Sequence, residues 1–276
     1  MNDYVSNDVS MYKIMQNREL LKGHGSWDVG AAPTDQQKKL PGISPVKEKQ
    51  KNCVIELPMD FADIINSCSI LELFEKRISR RTYEDCPLTL KELSFLLWST
   101  QGIRRFTGEN PRITFRTVPS AGSRHPLETY LFINHVEGIP AGLYHYLPAH
   151  CQLECLNPDG GFEEELTQAL CGQKFAASAP VLFVWSAVPY RTEWRYGLKA
   201  AKYILLDAGH ACENLYLACE AIDCGMCAIG AYDQECMDEL LGFAPGPSAD
   251  KNYECTVYIA SVGKKKQKNC LSETNK

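Results

Sequence analysis

The segment Arg77-Ile78-Ser79-Arg80-Arg81 sets a cation, a hydroxyl and a cation at alternate positions. In an extended backbone alternate side chains point the same way, so Arg77, Ser79 and Arg81 share a face. Guanidinium forks match phosphate and carboxylate oxygens in pairs, so such a face suits an oxyanion. A second segment, Pro119-Ser120-Ala121-Gly122-Ser123, is a turn of small residues against which a flat ligand could lie. A third, Ala221 to Tyr232, contains Ile229 and Gly230, where main chain could approach a ring. Lys264, Lys265, Lys266 and Lys268 could add charge for a phosphate. Together these features point to a phosphorylated planar cofactor. Each also has a plainer reading: an exposed basic turn, or a turn built of ordinary turn formers.

These residues need elements to hold them. Residues 1–56 are polar, carry Lys38, Lys39, Lys47, Lys49 and Lys51, and lack aliphatic periodicity. They read as an extension that wraps the body or stays partly disordered. Residues 57–276 read as one globular domain. Phe61, Ile64, Ile65, Leu71 and Phe74 have helical spacing. Leu90, Leu93, Leu96 and Leu97 define an amphipathic helix, with Thr89 as its cap and Glu92 three positions later. Strands are expected over 113–118, 129–136, 181–187 and 255–262, and a hairpin over 142–147 and 152–156. Short helices are expected over 162–170 and 236–241. A long helix over 198–222 presents Ala, Gly and Cys residues that would let another helix approach closely. Helices and strands mix without strict alternation, which indicates an α+β fold.

With 276 residues, 45% apolar and 23% charged, the chain has the composition of a globular protein. A net charge of -5, from 29 basic and 34 acidic residues, argues against a general nucleic-acid binder. No run approaches the ~20 apolar residues of a membrane helix. The N-terminus has no signal-peptide pattern, so a cytoplasmic location is expected. Thirteen cysteines are then expected to be reduced thiols. Cys212, Cys219, Cys224 and Cys227 with His210 raise the alternative of a metal or redox site. A single Cys-x-x-Cys is weak support, and Cys packs well as a small apolar residue. No bound metal is expected. No Gly-x-Ser-x-Gly elbow is present. Asp207 and His210 are spaced as a helix pair.

Read in order, RISRRTY, LTLKELSFLLWSTQGI, RTVPSAGSRHPLETYLF, GLYHYLP and the run from Arg195 to Tyr232 resemble the nitroreductase family of FMN enzymes, in its SagB-type branch. The resemblance covers about residues 57–268. It implies a central, mostly antiparallel sheet flanked by helices, in an intertwined homodimer with FMN at each end of the interface. It implies that Arg77, Ile78, Ser79 and Arg81 hold FMN, with Pro119, Ser120, Ala121, Gly122 and Ser123 against the flavin. Relatives often have Asn at the position of Ser123. Ile229 and Gly230 would lie near the flavin N5, and Lys264 and Lys266 would complete the phosphate site. The implied reaction is ping-pong hydride transfer from NAD(P)H to a small organic acceptor. The alternative is a SagB-type azoline oxidase within a peptide-modifying complex, which forms thiazoles or oxazoles. Those oxidases have a Lys-Tyr pair where this chain has Arg195-Tyr196. Arginine cannot serve as a base, but Tyr196 can move a proton. The two residues could equally serve only to fix the start of the long helix.

Overall fold

The computed structural model describes residues 3–22, 32–66, 69–108 and 113–266. In chain order it forms α1 (Asp3–Glu19), β1 (Val54–Glu56), α2 (Ile70–Lys76), α3 (Leu90–Gln101), β2 (Ile103–Thr107), β3 (Ile113–Arg116), β4 (Leu127–Ile133), β5 (Gly142–Leu147) and β6 (Gln152–Asn157). There follow α4 (Glu163–Ala169), α5 (Lys174–Ala177), β7 (Val181–Ala187), α6 (Tyr190–Tyr196), α7 (Ala200–Ala221), β8 (Cys224–Ile229), α8 (Gln234–Leu240) and β9 (Cys255–Lys264). Seven strands build one sheet in the order β1-β6-β5-β4-β7-β9-β8, every neighbour antiparallel. Strands β2 and β3 form a separate two-stranded ribbon.

Helices cover both faces of the sheet, which is why its central strands read as apolar runs. Leu131, Phe183 and Trp185 pack with Leu93, Leu96 and Leu97 of α3 and Cys212 and Leu215 of α7. On the opposite face Tyr130, Phe132, Leu182 and Val184 pack with Leu166 of α4 and Met237 of α8. The alternation follows from the two-residue period of a strand. The α+β class and the flanked antiparallel sheet are therefore as expected.

Helix α3 begins as its sequence dictates. The Thr89 hydroxyl accepts the Glu92 N–H, and the Glu92 carboxylate accepts the Thr89 N–H at 2.9 Å. Glu92 also forms an ion pair with Lys264 of β9, so the cap ties α3 to the far end of the sheet. Thr89→Ala should cost about 0.5–2 kcal/mol, measurable by urea unfolding; a change within error would mean the cap is redundant.

Several elements differ from expectation. Residues 62–64 make only a turn, and α2 starts at Ile70, where Ser69 provides a second capping box. Strand β8 falls in the Gly- and Cys-rich stretch read above as ligand-approach backbone; Gly225 fits there because the Arg80 side chain lies where a Cβ would be, as Tyr83 does over Gly263 of the neighbouring β9. The long helix forms as expected, as α7, and Gly197, with φ +52°, separates it from the unexpected short helix α6. The extension contributes an edge strand, Val54 pairing with Glu154. Upstream of it, Arg116 donates to Pro45 O at 2.8 Å, Arg191 to Ser44 O at 2.9 Å, and Trp194 Nε1 to Leu40 O at 2.8 Å. Residues 32–56 thus form a strap held by backbone acceptors rather than by an apolar core.

Beneath the strap lies a buried charge network. Glu128 of β4 lies 2.6 Å from Arg191 of α6 and 3.0 Å from His145 Nε2 of β5. Glu154 of β6 lies 3.6 Å from His145 Nδ1 and accepts the Gln50 N–H of the strap at 2.5 Å. Burial alone would lower the His145 pKa, but hydrogen bonds to the two carboxylates outweigh it and raise it. Burial would likewise raise that of Glu128, but Arg191 and His145 hold it well below the usual carboxylate range.

Candidate active site

Two groups of the sequence-predicted residues come together, in separate places. The first centres on Tyr216 of α7. Its hydroxyl shares a hydrogen bond with Ser79 Oγ at 2.8 Å and accepts the Ala228 N–H of β8 at 3.1 Å. Having accepted one proton, Tyr216 can donate its own to Ser79, which frees the Ser79 proton for a ligand. Ser79 also bridges to Met226, so the Arg77–Arg81 segment lies extended along β8. The Arg77 guanidinium stands 5.2 Å from the Tyr216 ring. Arg81 and Lys266 line one pocket of about 310 Å³ with Phe175. Glu84 and Asp85 line it as well, so the pocket is not uniformly basic.

The cations around this corner fall into two sets. Arg80 and Lys265 both pair with Glu220, whose carboxylate is buried beneath them, and Lys264 pairs with Glu92. Among the described residues Arg77, Arg81 and Lys266 have no carboxylate partner. The first set is structural charge balance. The second is free for an anion, and this donor set fits the phosphate of a nucleotide-type cofactor. Lys264, expected to hold phosphate, is thus occupied by Glu92, and Lys268 lies outside the described residues. Ile229 is buried at the end of β8, and Gly230 is exposed beside it.

The second group lies at the start of α7. Ser120 Oγ donates to Asp207 at 2.5 Å, and the Ala121 N–H donates to the same carboxylate at 3.2 Å. Burial pushes the Asp207 carboxyl up, against those two bonds. Gly122 has φ +57°, and a Cβ there would lie 2.6 Å from the Tyr196 hydroxyl. Arg195 and Tyr196 therefore cover the turn 119–123. They also line a pocket of about 980 Å³ whose far wall is the strap at Ala32–Asp35. Asp207 bonds to the turn, whereas His210 is exposed on the next turn.

The two groups do not meet within one chain. Asp207 and Tyr216 are nine residues apart on α7, which is two and a half turns and about 14 Å of rise. They leave the helix on opposite faces. Sequence reasoning did not find Tyr216, because a tyrosine in an apolar helical stripe reads as core. Nor did it find Glu220, whose role depends on Arg80 and Lys265 arriving from distant segments.

Cys212, Cys219, Cys224 and Cys227 are buried in the core, and burial pushes the Cys212 and Cys224 thiols up to about 12. Among the described residues no three His, Cys, Asp or Glu side chains are arranged to hold a metal ion.

The order of strands, the basic segment along β8 and the turn at the head of α7 can be set beside known proteins. The model of the nitroreductase family matches residues 74–264. The chain belongs to the nitroreductase family. This nitroreductase-family chain is 35% identical over 173 residues to a nitroreductase-like protein of Methanocaldococcus jannaschii, covering 62% of this chain and 83% of that one. It is 30% identical over 120 residues to the trifolitoxin-processing protein TfxB of Rhizobium leguminosarum bv. trifolii, which covers 42% of this chain but only 31% of TfxB. Among solved structures, a nitroreductase-like protein of Ralstonia eutropha superimposes with a TM-score of 0.60 at 23% identity, covering 87% of this chain and 97% of that one. A chain of the E. coli microcin synthetase complex superimposes with a TM-score of 0.54 at 17% identity, covering 76% and 79%. Membership places the protein among oxidoreductases. Among the described residues no helix is long and apolar enough to cross a membrane.

Proposed function

We propose that the protein is an FMN-dependent oxidoreductase that works as a homodimer, with NAD(P)H as hydride donor and a small organic acceptor. The observation that carries this reading is a set of cations with no carboxylate partner among the described residues: Arg77 over the Tyr216 ring of the Ser79–Tyr216–Ala228 junction, and Arg81 and Lys266 lining the pocket at the other end of the same segment. The guanidinium and ammonium groups would neutralise the phosphate, and Ser79 would donate its free proton. The backbone at Ile229 and Gly230 would border the ring. Bound there, the flavin would accept a hydride and pass it on. The turn 119–123 lies on the opposite face of α7, so a second copy would bring its own turn to complete each site. Exposed apolar side chains support such pairing: Phe74 is 57% and Leu205 61% accessible in the single chain. In the completed site Tyr196 can hold or release a proton at its hydroxyl, while Arg195 stays charged and can only orient.

A second reading is favoured by the likeness to TfxB and to the microcin synthetase chain. On that reading the donor is an azoline in a peptide, and the protein works within a peptide-modifying complex. One experiment separates the two. Purified protein reconstituted with FMN is mixed anaerobically with NADH or NADPH while absorbance near the flavin maximum is followed. Bleaching is expected. A bound flavin that ignores both nucleotides moves the weight to the peptide substrate. Failure to take up FMN at all would sink both readings.

A further inference from the structure

Strand β1 pairs with β6 so that Val54 faces Glu154 and Ile55 faces Leu153. One step earlier in the same antiparallel register, position 53 faces position 155, and both are cysteines. The pairing holds at that step, because the Cys155 N–H donates to Cys53 O at 2.9 Å. Directly opposed residues of an antiparallel pair have α-carbons roughly 4.5–5.5 Å apart. A disulfide spans roughly 4.4–6.8 Å. Opposed side chains also project from the same face of the sheet. The thiols feel each other: burial raises the Cys155 pKa, and the neighbouring Cys53 thiol adds to the rise. Their environments differ. Cys53 is exposed, and Cys155 is 8% accessible.

We propose that Cys53 and Cys155 are a reversible redox pair that fastens the strap covalently to the edge of the sheet. The oxidant is a hydroperoxide. Exposed Cys53 meets it first: its sulfur takes one peroxide oxygen as the O–O bond breaks. That gives a sulfenic acid and, from hydrogen peroxide, one water. The Cys155 sulfur then attacks the sulfenic sulfur as its proton passes to the departing oxygen. The S–S bond forms, the S–O bond breaks, and hydroxide leaves with the Cys155 proton as a second water. Two thiols lose two electrons and one peroxide gains them. The strap thereby loses its freedom to lift at Cys53, the anchored end of the segment whose other end walls the Arg195–Tyr196 pocket. Cys151 does not compete for Cys53. The same register sets it opposite residue 57, where the Leu57 N–H donates to Cys151 O. That is four steps, or about 13 Å, along the strand.

The test is direct mapping on the full chain. Fully reduced protein is treated with hydrogen peroxide, blocked with iodoacetamide in denaturant, and digested without reductant. The expected result is a peptide joining Cys53 to Cys155, lighter by two hydrogens, which dithiothreitol separates. Cys53→Ser and Cys155→Ser should each abolish it, but the wild-type map alone decides. Cys53 recovered as sulfinic acid with Cys155 alkylated would overturn the proposal. So would a link from Cys53 to any other cysteine.

Discussion

Arg77→Ala combined with Arg81→Ala should give a folded protein that no longer retains FMN. Each charge-assisted bond contributes about 1.5–3 kcal/mol, so losing both weakens binding by roughly 10²–10⁴-fold. The fold should survive because neither arginine balances a carboxylate among the described residues. Arg80 is the contrast. It shares buried Glu220 with Lys265, so Arg80→Ala strips half the compensation from a buried charge and should destabilise the protein itself. Equilibrium dialysis with FMN, alongside circular dichroism, reads the two effects apart. A double variant that stays folded and keeps stoichiometric flavin would remove the first group from consideration as the phosphate site.

Glu128→Ala should be the most destabilising single change in the sheet. It leaves Arg191 and His145 buried without their shared carboxylate, a situation that costs about 3–5 kcal/mol. For a chain of this size the midpoint of thermal unfolding should fall by on the order of 10 °C. The pH dependence should change as well. The folded His145 pKa is raised, so its contribution is complete below the ordinary imidazole value of ~6.5 and fades as pH rises through the folded value. Glu128 is depressed, so its contribution is complete above the ordinary carboxylate value of ~4.3 and fades as pH falls. Wild-type stability should therefore decline above about pH 6.5, and the variant should show a weaker alkaline decline. Thermal melts across that range check both claims. A variant melting within a degree or two of wild type would mean the network is relaxed by water.

The sequence was legible where local rules and global packing agree. Thr89 and Glu92 announce a capping box, and they make one. Val181–Trp185 is an unbroken apolar run, and it forms the body of a central strand covered on both faces. The Arg77–Ser79–Arg81 spacing puts three side chains on one face if the backbone is extended, and the bridge from Ser79 to Met226 supplies the extension. It was not legible that Ser79 would meet a tyrosine 137 positions away, because that contact exists only once α7 packs beside β8. Strand β8 was missed because Gly and Cys carry little strand preference; Gly225 is there to admit Arg80. Strand β1 was missed because three residues in a polar stretch give no period to count. The separation of the turn 119–123 from Ser79 is a matter of helical phase, set by the nine-position spacing of Asp207 and Tyr216 on α7.

The strap has a consequence for the timing of synthesis. Gln50 donates its N–H to a carboxylate that lies 104 positions further along the chain. At translation rates of about 5–20 residues per second, roughly 5 to 20 s pass before that partner has been made. Until then Arg116 is available to Pro45, but the edge strand and the buried carboxylate that hold residues 50–56 are still to be made. A segment rich in lysine and poor in aliphatic residues waits well, since it exposes little surface that would drive it into wrong partners. Its dependence on backbone carbonyls and buried charges, rather than on apolar burial, lets it stay soluble while unpaired and still close the edge of the sheet once β6 appears.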